Sequence, residues 1–243
     1  MSTKSLADPG SGRPEEVERE LVAALYPYTG GASFAALAQA PALAGRRRVE
    51  LAEALARLVA GSVVTLRSAA GVARYELREA GRATLGQEPW LQGRLDGLAR
   101  GHAAWCEGFL AGAEEALTCG PGQKSWLERI ALEQANLSAA VGFALRSGDL
   151  ALAARLALGM CTFWELRGPL KEARSLISCL LGAGALALGT RARLLDGLGR
   201  VVMRQGDCEA ACRALRQALR AAATRLIPTS ELRTLAARKP RKA

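Results

Sequence analysis

A chain of 243 residues with a formal charge of +10, half of it hydrophobic and only 5% aromatic, holds enough apolar material for a folded core. Ala and Leu dominate while β-branched residues are sparse, which favours packed helices over sheets. No run of about 18 uncharged apolar residues occurs, which excludes a membrane-spanning helix.

The opening MSTKSLADPGSGRPEE lacks the apolar centre of a secretory signal and reads as a disordered leader over 1–14. Residues 15–26 begin with acids and set Val17, Leu21, Val22 and Leu25 on one face, an amphipathic helix with favourable charge in its first turn. TGGAS reads as a turn, and Ser33 is placed to cap a short helix over 34–40, followed by Pro41. In RRRVELAEALARLVAG, Leu51, Leu55, Leu58 and Val59 form a buried stripe, and Gly61 ends the helix. SVVTLR and VARYELR are the strand-like runs, joined across SAAG as a hairpin. Three helices followed by a hairpin outline a winged helix over 15–80.

From residue 79 the helical pattern resumes. Turn signals divide it into helices over 94–118, 124–146, 150–166, 169–181, 190–204 and 208–224. Helix after helix with short turns is the pattern of an α-solenoid of helical hairpins, so the expected fold is mainly α, with a linking helix and array over 81–224. A basic tail over 225–243 is expected to be disordered.

The stretch CGPGQKSW, Cys119–Trp126, invites comparison with a phosphate-binding loop. Aligned on Lys124-Ser125, Thr118 and Gln123 occupy the positions where that loop requires glycines. The preceding EGFLAGAEEALT is helical in pattern rather than a strand, so the glycines read as a helix–helix joint. Catalysis finds no other foothold: His102, the only histidine, has no nucleophile with a third orienting group, and no enzyme activity is expected. Cys106, Cys119, Cys161, Cys179, Cys208 and Cys212 form no C-x-x-C pair and read as reduced thiols of a cytoplasmic protein. Cys208 and Cys212 share a helix face, as do His102 and Cys106. Two such pairs fall short of a tetrahedral zinc set, and neither metal nor cofactor is expected.

The sharpest helix pair is LGRVVMRQGDCEAACRALRQAL, 198–219. Gly199 admits a neighbouring helix, Gly206-Asp207 turns the chain, Ala211 returns the contact, and Leu215 and Ala218 continue the inward stripe. This resembles the tetratricopeptide repeat, with a looser copy in which Cys161, Trp164 and Ala173 take the corresponding positions. Uneven turns at 148, 168 and 206 make the repeats degenerate. Trp126, Phe163 and Trp164 read as core, and Trp105 as a stitch between the linking helix and the array.

Trp126-Leu127, Glu133, Asn136-Leu137-Ser138-Ala139-Ala140 and Gly148-Asp149 follow in an order that resembles the region after the winged helix in bacterial STAND and ATP-dependent LuxR-type transcriptional regulators. The resemblance spans roughly 17–224. It implies a regulatory middle section, a fragment or split product without the nucleotide-binding domain and terminal helix-turn-helix of that family. The array would bind a protein partner or small effector, and the winged helix would relay its state to an NTPase-bearing chain.

Two surfaces follow. Arg193, Asp196, Arg200, Met203 and Arg204 would face the groove of the last repeat and favour an acidic segment. Arg46, Arg47, Arg48, Arg67 and Arg74 would be the DNA contacts of a winged helix, although Glu50 and Glu53 at the start of that helix oppose phosphate. A stand-alone DNA-binding regulator and a truncated, non-functional fragment remain the alternatives.

Overall fold

The computed structural model describes residues 13–118, 122–184 and 186–226. The expected leader and tail lie outside these, apart from residues 13–14 and 225–226 at the ends of helices. The fold is mainly helical with one small three-stranded sheet. None of the described helices is long and apolar enough to cross a membrane. Two compact units are present: residues 13–109 with Glu128–Phe143, and residues 110–127 with 144–226. They do not follow a boundary near residue 80.

In the first unit, α1 (Arg13–Leu25) leads to β1 (Ala32–Ser33), α2 (Phe34–Ala38), a 3-10 turn (Pro41–Leu43) and α3 (Arg48–Ala60). The Ser33 hydroxyl accepts from the Ala36 N–H at 3.2 Å, capping α2 as its position in the sequence suggests. β1 was not expected; TGGAS reads as a turn, yet Ala32 and Ser33 pair with the hairpin. That hairpin is β2 (Val64–Ala69) and β3 (Val72–Leu77), in register from Val64 opposite Leu77 to Ala69 opposite Val72. Ala70 and Gly71 turn it with φ of 49° and 76°, the left-handed pair that matches strand twist in a two-residue loop. Strand order is β1-β3-β2, all antiparallel.

The stripe on α1 (Leu21, Val22, Leu25) meets that of α3 (Leu51, Leu55, Leu58), with Leu37, Val64 and Leu77 closing the same core. Each fully buried leucine contributes about 1.5–3 kcal/mol, so this cluster is the main reason the unit folds. α4 (Glu79–Leu85), α5 (Pro89–Gln92) and α6 (Leu95–Ala111) follow, and Leu85, Leu91 and Leu98 extend the core. Trp105 packs on it too, against Tyr28, His102 and Phe109.

The expected helix 94–118 breaks at Gly112-Ala113 into α6 and α7 (Glu114–Thr118). The remaining expected ranges match within two residues: α8 (Gln123–Arg146), α9 (Leu150–Arg167), α10 (Leu170–Gly182), α11 (Leu188–Arg204) and α12 (Cys208–Leu226).

In the second unit the same turn is built twice. After α8, Gly148 takes φ of 75°, its N–H reaches the Leu145 carbonyl, and the Asp149 N–H reaches the Ala144 carbonyl. After α11, Gly206 takes φ of 84°, with Gly206 N–H to Met203 and Asp207 N–H to Val202. Both are Schellman closures that require a left-handed residue, which glycine adopts without a Cβ clash. Each aspartate then caps the next helix, Asp149 Oδ1 accepting from Leu152 N–H at 2.9 Å and Asp207 Oδ1 from Ala210 N–H at 3.0 Å.

Candidate functional site

Gly197 and Gly199 set the depth of α11 in the second unit. A Cβ at Gly199 would lie 2.8 Å from Leu215 on α12, and one at Gly197 would lie 2.6 Å from the Cys161 sulfur on α9. Bare backbone at both points lets α11 nest between its neighbours, burying Leu194, Leu195, Val201 and Val202. Phe163 and Trp164 are buried core, as expected; Trp126 is half-buried.

The outward residues of α11 are held by acids of this same chain. Arg193 pairs with Glu114 at 3.4 Å. Arg200 reaches Glu165 at 2.9 Å and Asp196 at 3.3 Å, while the Arg204 Nε–H donates to the Glu165 carbonyl at 3.1 Å. Glu165, at the C-terminal end of α9, thus gathers Arg200 and Arg204, a role the sequence did not signal. Met203 is 45% exposed beside them. On α12, Arg213, Arg216 and Arg220 are exposed at helical spacing, Arg213 pairing with Glu209.

The arginines expected at a DNA surface are engaged in a similar way. Arg46 makes two hydrogen bonds to the Glu20 carboxylate, 2.8 and 2.9 Å, and lies 3.3 Å from Glu16, which raises its pKa. Arg47 pairs with Glu50, whose carboxyl is held below its usual pKa by that bond. Arg48 lies over the Phe34 ring, and Arg67 is 3.3 Å from Glu76. Arg74 requires a correction. Its side chain is buried rather than displayed on the hairpin, because a carboxylate and two carbonyls inside the unit supply partners for most of its donors.

That buried cluster is the most constrained polar feature of the first unit. Arg74 bonds Glu133 through Nη1–Oε1 at 2.6 Å and Nη2–Oε2 at 2.9 Å, and donates to the carbonyls of Gly30 and Gly31. Asn136, one helical turn from Glu133, accepts from Gly30 N–H and donates to the Gly31 carbonyl and to Glu133. Glu133 and Asn136 belong to the run that carried the family resemblance; their spacing puts them on one face of α8, but nothing in it names Arg74 as their partner.

Next to this cluster, Cys106 Sγ lies 3.6 Å from His102 Nε2 and 3.8 Å from the Asn136 carbonyl. Burial pushes His102 down to about 4 and the Cys106 thiol up, so the two form a neutral pair rather than an activated thiolate. Tyr28 stacks edge-on against His102 at 4.4 Å, and its buried hydroxyl has no hydrogen-bond partner among the described residues. A cleft of 360 Å³ opens over this floor, lined by Tyr28, His102, Pro41, Arg94, Gly97 and Gly101 among others.

The stretch that invites the phosphate-loop comparison is described only from Gly122 onward. α7 precedes it and α8 begins at Gln123, so a helix and not a strand leads into it. Comparison of the chain with protein-family models, with curated proteins and with solved structures gives no match.

Proposed function

We propose that the chain is a non-catalytic regulatory module that holds a protein partner on the α11–α12 face of its second unit, in the manner of STAND and LuxR-like regulators. The observation that carries this reading is the repeated Gly-Asp turn, joined to a helix pair nested through Gly199 and Leu215. A supersecondary unit used more than once is the mark of a repeat array, and such arrays serve chiefly as binding scaffolds. The exposed arginines of α12, with Arg193 and Met203 on α11, favour an acidic segment bearing apolar side chains.

In this reading the first unit relays the bound state. Its order of helix, short strand, two helices and hairpin, with strands ordered β1-β3-β2, supports the winged-helix reading. The relayed state would be received by a nucleotide-binding domain. Direct DNA binding is the second reading, favoured by that same element order and opposed by the acids already paired with Arg46, Arg47, Arg67 and Arg74.

The test takes a partner cross-linked to the chain in its host and re-measures binding with purified components. Arg193→Glu with Met203→Asp should weaken the complex by roughly tenfold or more while the thermal midpoint stays put. Unchanged affinity, or a sequence-selective DNA shift that survives about 0.2 M salt, overturns the reading.

A further inference from the structure

We propose that Met203, Cys208 and Cys212 form a three-sulfur site for a soft monovalent metal ion, Cu(I), at the turn between α11 and α12. The inference goes beyond the partner-binding reading and does not depend on it.

The geometry begins with the register of the hairpin. Gly199 against Leu215 and the Gly206-Asp207 turn bring the end of α11 back over the start of α12. Met203 Sδ thereby comes to 4.0 Å from Cys208 Sγ. Cys212 follows one helical turn later, where side chains four apart have Cβ atoms about 5–6 Å from each other. That spacing lets two thiolates reach one ion between them, with the thioether as third donor. All three side chains are exposed, so an ion reaches them from solvent.

The donor set chooses the metal. Thiolate and thioether are soft ligands that prefer Cu(I) over harder divalent ions. Asp207, next to Cys208, is already engaged at both oxygens, accepting from the Ala210 N–H at 3.0 Å and pairing with Arg174 at 3.1 Å. Zinc would lack the four donors of a structural site. As the ion binds, each cysteine thiol gives up its proton to solvent and forms a sulfur–copper bond; copper stays monovalent and no electrons move. The other described cysteines offer no such set: Cys106 and Cys161 are buried, and exposed Cys179 has no second sulfur on its helix.

The experiment is an anaerobic titration of the reduced full chain against Cu(I) held by bicinchoninate, followed by alkylation and mass mapping. The chain should withdraw a single Cu(I), and loading should shield Cys208 and Cys212 from alkylation while Cys179 still reacts. Cys208→Ser or Cys212→Ser should weaken binding about 100-fold, and Met203→Leu about tenfold, by comparison with losses seen on altering metal-site shells. Thermal melts of these surface variants should match the parent, separating lost binding from lost fold. Failure to withdraw copper, equal shielding of Cys179, or parental affinity in Met203→Leu overturns the site.

Discussion

Arg74 on β3 and Glu133 on α8 meet through two hydrogen bonds of 2.6 and 2.9 Å, with both side chains less than a tenth exposed. Removing water from two charges is costly, and only a closed set of partners makes the pair tolerable. Gly30, Gly31 and Asn136 close that set.

Glu133→Ala should therefore leave an uncompensated buried guanidinium and cost about 3–5 kcal/mol. The joint replacement Arg74→Met with Glu133→Leu should cost less than the single change, because no charge is stranded. Urea unfolding midpoints of the three chains decide this. A double variant weaker than the single one would mean that the pair itself, and not the stranded charge, sets the stability.

At Gly199 two effects compete. Alanine would improve helix propensity by about 1 kcal/mol. Its methyl would also press on Leu215, 2.8 Å away, and overpacking costs about 1–3 kcal/mol. Gly199→Ala should lower stability in the parent and raise it in a Leu215→Ala background. The reversal of sign in a double-mutant cycle is the measurement; additive effects would show that the two helices do not nest at this point.

His102 supplies a pH dependence. Desolvation lowers its pKa from 6.5 to about 4, with nearby Glu133 opposing the shift and Cys106 neutral beside it. The unfolded chain then binds the proton more readily than the folded one. Stability is intact above pH 6.5 and falls as pH drops toward about 4, by about 3 kcal/mol across that window. His102→Gln should flatten this limb of the stability–pH curve. An unchanged slope would assign the effect to other groups.

Much of the architecture was written locally. Apolar spacing, the Ser33 cap and the glycine turns each act within a few residues, so helix positions from 123 onward followed from the sequence within two residues. The Gly-Asp turns were legible for the same reason: φ near +80° is a demand that one residue type meets at no steric cost. Two-residue β1 was not legible, because its order comes from pairing with Tyr75 and Arg74 some 40 residues later.

The fate of the charged side chains belonged to tertiary structure alone. An arginine in a strand looks the same in sequence whether it faces solvent or a carboxylate. Arg74 became a buried strut only when α8 brought Glu133 and Asn136 to it. Arg200 and Arg204 lost much of their availability when α9 brought up Glu165, and Cys208 gained a sulfur neighbour when Gly199 let α12 close on α11. The sequence by itself determined where helices begin, end and turn, because those signals are short-range. Which charges meet was decided by the fold, because Coulomb and desolvation energies depend on distance and burial, and neither exists until the elements pack.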